Sequence, residues 1–172
     1  MNKEKFIGNI IDQVQEMQLK LGFANESVSL YYPYDSIRFL LETDAADSEI
    51  PALLESILPE GITTKITKSR VVVTLSPAVV SNIYENHPPT GFLRDIIALF
   101  SKHHGITLED VAEVFEKYSP DYEQITMPEG SDFDYVFHFK NPEIDSFYYC
   151  IKDEFGHMIY HRFIESDYKG LI

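Results

Sequence analysis

A chain of 172 residues is about one domain's length, and 44% hydrophobic with 13% aromatic residues can bury a sizeable core. Lys and Arg total 14 against 28 Asp and Glu, a net charge of -14, which argues against a general nucleic-acid binder or adsorption to an anionic membrane, since both need clustered cations. The single cysteine excludes an intrachain disulfide, no run approaches the ~20 apolar residues of a membrane span, and Asn9, Asp12, Gln13, Gln15 and Glu16 break up any secretory apolar stretch, so the expected location is the cytoplasm.

Phe6, Ile7, Ile10, Ile11, Val14, Met17 and Leu21 recur at helical spacing. They predict an amphipathic helix over 3–21, stopped by Gly22. Val28, Leu30 and Tyr32 alternate with polar residues as a short strand that Pro33 ends. Asp35 is placed to cap a short helix carrying Ile37, Leu40 and Leu41. Ser48 is placed to cap the next, with Pro51 in its first turn and Leu54, Ile57 and Leu58 on one side, stopped by Pro59 and Gly61. Ile62, Thr64 and Ile66, then Val71, Val73 and Leu75, flank Lys68-Ser69-Arg70 as a β-hairpin with a basic tip.

Three helices follow. Ser76-Pro77 is a helix start, because proline at the first helical position loses no needed N–H, and His87-Pro88-Pro89 ends that helix. A second runs from about 90 to 104 with Phe92, Leu93, Ile96, Ile97 and Phe100, stopped by Gly105. Thr107 and Asp110 have capping-box spacing and open a third, which Pro120 ends. The tail, 131–172, reads as β and carries six phenylalanines and five tyrosines.

These elements predict an α+β fold: N-terminal helices with a small antiparallel hairpin sheet, three central helices, and a C-terminal, aromatic-rich antiparallel meander packed on helices. The whole reads as a single α+β domain over 1–172, with a two-lobe variant, 1–86 and 90–172, joined at 86–91.

Charge is uneven. Residues 1–60 and 121–172 each carry 4 basic and 11 acidic side chains, whereas 61–120 carry six of each. The neutral middle holds Lys65, Lys68, Arg70, Arg94, Lys102, His103 and His104, which read as a solvated face with a weak anion-contacting patch as the alternative.

The tail permits a register argument. With Gly156 left-handed in a three-residue loop, Asp153 opposes His157, Ile151 faces Ile159, Tyr149 faces His161 and Phe147 faces Phe163. A two-residue turn would instead put Arg162 and Tyr160 on the face of Ile151 and Phe147, so the first register, with one face apolar, is the expected one. On the preceding strand Phe139 faces Phe147, Phe137 faces Tyr149, and Asp134 opposes Lys152. The outer face then collects His138, Tyr148 and Arg162 in one row beside Tyr160, Cys150 and Lys152. It reads either as the mixed solvent side of a sheet or as a site in which His138, Tyr148, Arg162, Tyr160 and Lys152 hold a carboxylate or phosphate.

Other chemistry is thin. His157 and His161 have i, i+4 spacing, but on a strand they stand ~13 Å apart, and Cys150 is alone, so no metal site is expected. Cys150 and His161 fall on opposite faces, and no catalytic residue is assigned. No phosphate loop or nucleophile elbow occurs, and no cofactor is expected. Glu109, Asp110, Glu113 and Glu116 would repel phosphates from the helix a winged-helix reading needs, so nucleic acid is not an expected partner.

The stretches Phe133-Asp134-Tyr135, Phe147-Tyr148-Tyr149-Cys150-Ile151-Lys152-Asp153-Glu154 and Tyr160-His161-Arg162-Phe163 resemble a family of small acidic bacterial proteins from anaerobic gut Firmicutes, filed as a domain of unknown function. The resemblance is clearest over about 90–168. It implies a bacterial cytosolic origin and carries over no site residues. The leading expectation is a non-enzymatic protein-interaction module of inhibitor, immunity or adaptor type with a basic protein partner. The alternative is a binder of a small anionic ligand on the outer face of the C-terminal sheet, with an enzyme third.

Overall fold

A computed structural model describes residues 1–172, which divide into two compact units, Met1–Pro89 and Thr90–Ile172. In the first, α1 (Lys3–Leu21) is capped by Asn2, whose side chain accepts from Lys5 N at 3.1 Å, and ends where Gly22 turns left-handed at φ 73°. Its buried face holds Phe6, Ile10 and Val14. Buried polar groups on the same helix are satisfied, as their desolvation requires: Asn9 accepts from the Tyr32 hydroxyl at 2.8 Å, and Gln18 donates to the Val80 carbonyl at 3.1 Å.

The remaining elements of this unit are β1 (Val28–Pro33), α2 (Tyr34–Leu41), a 3-10 turn (Asp47–Glu49), α3 (Ile50–Ile57), β2 (Ile62–Ile66), β3 (Arg70–Leu75) and α4 (Pro77–Asn86). The antiparallel sheet has the order β1-β3-β2. Its central strand buries Val71, Val73 and Leu75 completely. Ser76 caps α4 by accepting from Val79 N.

Two caps differ from expectation. Pro33 takes the cap position of α2, so Asp35 falls in the first turn, and there it pairs with Arg38, which also binds Asp47. Ser48 is absorbed into the 3-10 turn, and α3 starts at Ile50 with Pro51 in its first turn.

The second unit comprises α5 (Gly91–Phe100), α6 (Leu108–Tyr118), β4 (Tyr122–Thr126), β5 (Tyr135–Phe139), β6 (Tyr148–Glu154), β7 (His157–Phe163) and α7 (Glu165–Lys169). Its four strands form an antiparallel meander in the order β4-β5-β6-β7. Phe92 is the hub of the core, edge-on to Phe115, Phe139 and Tyr149 at ring separations of 4.9, 4.8 and 5.5 Å, a favoured aromatic geometry. The capping box of Thr107 and Asp110 is complete. A Cβ on Gly91 would lie 2.9 Å from the Tyr118 oxygen, so glycine there lets α5 and α6 close, and the Tyr118 hydroxyl bonds Asp95 across the junction.

Three features depart from the expected outline. The α5 helix ends at Phe100 rather than 104, and His103 turns left-handed at φ 64°. The edge strand β4 was hidden by its polar Glu123, Gln124 and Thr126. The short α7 follows β7 and lays Tyr168 on the sheet. The architecture is α+β, and no helix is long and apolar enough to cross a membrane.

Candidate functional site

The face carrying the expected anion site depends on the register of β6 and β7, and here the structure corrects the sequence reading. Glu154 opposes His157, Ile151 opposes Tyr160, Cys150 opposes His161, and Tyr149 opposes Arg162. The turn has two residues, Phe155 at φ 55° and Gly156 at φ 84°, both left-handed as a tight primed hairpin turn requires. The neighbouring register is as expected, with Phe137 against Tyr149. One residue of slip exchanges the faces of β7. Arg162 and Tyr160 therefore share the helix-covered face with Tyr149, Ile151 and Phe137, while His161 is exposed on the other.

Arg162 is accommodated there by chemistry that apolar patterning does not count. Its guanidinium lies 4.0 Å over the Phe147 ring, a cation–π contact. Tyr149, fully buried, donates its hydroxyl to Asp145 Oδ2 at 2.8 Å, and Asp145 Oδ1 accepts from Phe147 N at 2.9 Å. Burial, then the Asp145 charge, holds the Tyr149 hydroxyl well above its ordinary ionisation range, with Arg162 pulling the other way. Tyr160 is buried, its ring 4.8 Å from Phe100.

The opposite face keeps His138 and Tyr148 together. Their rings stack at 4.2 Å, and Tyr148 stacks in turn on Tyr168 of α7 at 4.3 Å. His138 Nε2 lies 3.0 Å from Glu123 Oε2 and Nδ1 lies 3.1 Å from the Phe139 carbonyl. Both ring nitrogens of His138 are thus occupied by protein oxygens. Beneath Tyr168, Val136 and Cys150 form a small apolar cluster with Ile125, Met127, Phe133, Tyr148 and Phe163 around it. Burial pushes the Cys150 thiol up to about 11, which marks a packing residue rather than a nucleophile. Lys152 is exposed further along the face. Of the five expected site residues, the structure brings His138 and Tyr148 together, leaves Lys152 apart, and places Tyr160 and Arg162 behind the sheet.

Sequence reasoning placed a turn at 153–156 but assigned no role to this hairpin end of the sheet. The β4–β5 connection and the β6–β7 turn meet there, joined by the Asp134 carboxylate, which accepts from Asp153 N at 2.8 Å. Glu129, Asp132, Asp134, Asp153 and Glu154 are all exposed at this end. Phe155 projects from the tip with its side chain fully in solvent, at 107% relative exposure. Beside it the His157 ring lies 6.1 Å from His103 and 5.7 Å from His104, and no group of three such side chains is placed to hold a metal ion. The available signal was Asp153-Glu154-Phe155-Gly156 itself, a turn sequence with an aromatic where asparagine or glycine is usual.

In the first unit a cavity of about 500 Å³ is lined by Lys5, Arg38, Phe39, Glu42, Thr43 and Asp44. Its cations are already matched: Lys5 lies 3.5 Å from Glu42 and over Phe39, and Arg38 is held between Asp35 and Asp47.

Comparison with known proteins adds a family and no activity. No curated protein and no solved structure matches the chain. A family model described as a domain of unknown function, DUF3877, from an E. rectale gene description, matches residues 3–172. This covers nearly the whole chain and both units, so the protein belongs to the DUF3877 family.

Proposed function

We propose that the chain is a non-enzymatic protein-interaction module, of inhibitor, immunity or adaptor type, that acts in the bacterial cytoplasm on a basic protein partner. The observation that supports this reading is the acidic hairpin end of the second unit, where the Asp134–Asp153 bond joins two turns bearing five exposed carboxylates. Charge of one sign gathered on one edge steers an oppositely charged partner and fixes its orientation more than it adds raw affinity. Arg162, the main cation of the alternative small-anion reading, lies on the opposite face of the sheet from His138 and Tyr148.

Affinity purification of the tagged chain from a bacterial lysate at low and high salt, followed by mass spectrometry and reconstitution with the purified partner, tests the proposal. The expected partner is basic, and its dissociation constant rises at least ~10-fold as salt passes through the screening range. A neutral or acidic partner bound equally at all salt concentrations would contradict it.

A further inference from the structure

Phe155 contradicts the local rules of its own turn. A left-handed φ of 55° is unfavourable for a bulky residue, and Asn or Gly would adopt it readily. The ring gains nothing for the fold in return, since the side chain is completely exposed. The turn is nevertheless well built around it: Asp153 Oδ1 accepts from Gly156 N at 2.9 Å, and Asp153 N is tied back to Asp134. A rigid hairpin thus holds an apolar ring outward in a backbone state that a better turn residue would relieve. Strain of this kind points from an observed outlier toward function.

Resting on the interaction reading above, we infer that Phe155 is the anchor of the interface, inserting into an apolar pocket that Lys and Arg rim on the partner protein. Its surroundings select this occupant. At this end of the sheet the exposed Glu129, Asp132, Asp134, Asp153 and Glu154 outnumber the exposed Lys102 and Lys152, so an anionic bilayer is repelled, and a second copy would bring two acidic edges together. A buried aromatic ringed by near-neutral contacts that exclude water is the usual form of an interface hot spot, and a hairpin that already holds the ring outward loses little freedom on binding.

Two measurements test this. Phe155→Asn should raise the melting temperature by ~2–4 °C, because Asn-Gly suits the turn and no packing is lost. A lowered melting temperature would show that Phe155 stabilises the fold and would overturn the anchor role. Benzoylphenylalanine placed at 155 and, separately, at 129 should be photo-activated in the bacterial host, with the adducts mapped by peptide mass spectrometry. The expected result is a cross-link from 155 to one apolar pocket flanked by Lys and Arg on a single basic protein. Cross-links from 129 but none from 155 would overturn the anchor while leaving the interaction reading intact. Cross-links from neither would overturn both. Lipid adducts at 155, or cross-links to a second copy of the chain, would overturn the assigned partner.

Discussion

Tyr149 on β6 and Arg162 on β7 stand opposite each other on the face of the sheet that α5 and α6 cover. Asp145 receives the tyrosine hydroxyl, and the Arg162 guanidinium rests on Phe147. The pairing makes Arg162 a packing residue as much as a charge. Its planar fork can stack and hydrogen-bond at once, which an ammonium cannot. Arg162→Lys should therefore lower stability by about 1 kcal/mol, the scale of a cation–π contact that is only partly desolvated, as measured by urea denaturation. An unchanged denaturation midpoint would contradict the core-face position.

Phe137 is fully buried beside Tyr149 and within ring contact of Phe115 and Tyr122. Its truncation removes a whole aromatic from a packed core, so Phe137→Ala should cost about 3–5 kcal/mol. A loss under 1 kcal/mol in equilibrium unfolding would contradict the face assignment.

Cys150 and Tyr168 give a linked prediction on the other face. With the thiol buried under Tyr168 and pushed up to about 11, it should be unreactive toward a thiol reagent at neutral pH until the chain unfolds. Tyr168→Ala should cost about 3 kcal/mol, and it should speed labelling at least ~10-fold under native conditions. Rapid labelling of the unmutated chain would contradict the packing of α7 on the sheet.

The raised ionisation of Tyr149 and Cys150 has a definite sign. Both groups are neutral when protonated and are held protonated in the fold by burial first. At neutral pH neither folded nor unfolded chain ionises them, so they impose no penalty. Above about pH 9 the unfolded chain loses these protons while the folded chain keeps them, and stability falls with rising pH. Thermal melts from pH 8 to 11 should show a steady drop, with the buried tyrosines' share of the tyrosinate absorbance appearing only on unfolding. Tyrosinate signal from all eleven tyrosines in the still-folded chain would contradict it.

Most of the helices were legible because periodicity and caps agree. Gly22 stops α1, Ser76-Pro77 opens α4, and Thr107 with Asp110 opens α6. The β5–β6 register was legible for the same reason, since aromatics line one side of both strands. The β6–β7 register was not. Apolar matching treats an arginine and a tyrosine as surface residues, whereas Arg162 and Tyr160 are compatible with burial through stacking on Phe147 and Phe100. The misreading compounded, because a face expected to be open carries Tyr168 from a helix of five residues, too short to show a period. Phe155 escaped notice because turn residues are read for backbone geometry rather than for what their side chains offer to solvent.

The most direct test of the acidic hairpin end is selective neutralisation. Glu129, Asp132 and Glu154 are exposed at that end, and Glu55, Glu60 and Glu85 are exposed in the first unit. Replacing each trio with Gln or Asn changes net charge equally, so a difference between the two variants reports position and not total charge. Titration of each against the purified basic partner should show the Glu129/Asp132/Glu154 variant weakened at least ~10-fold, through a slower association rate at low salt. The Glu55/Glu60/Glu85 variant should stay within about twofold of the unmodified chain. Equal weakening of both variants would reduce the interaction to bulk charge and contradict the hairpin-end site.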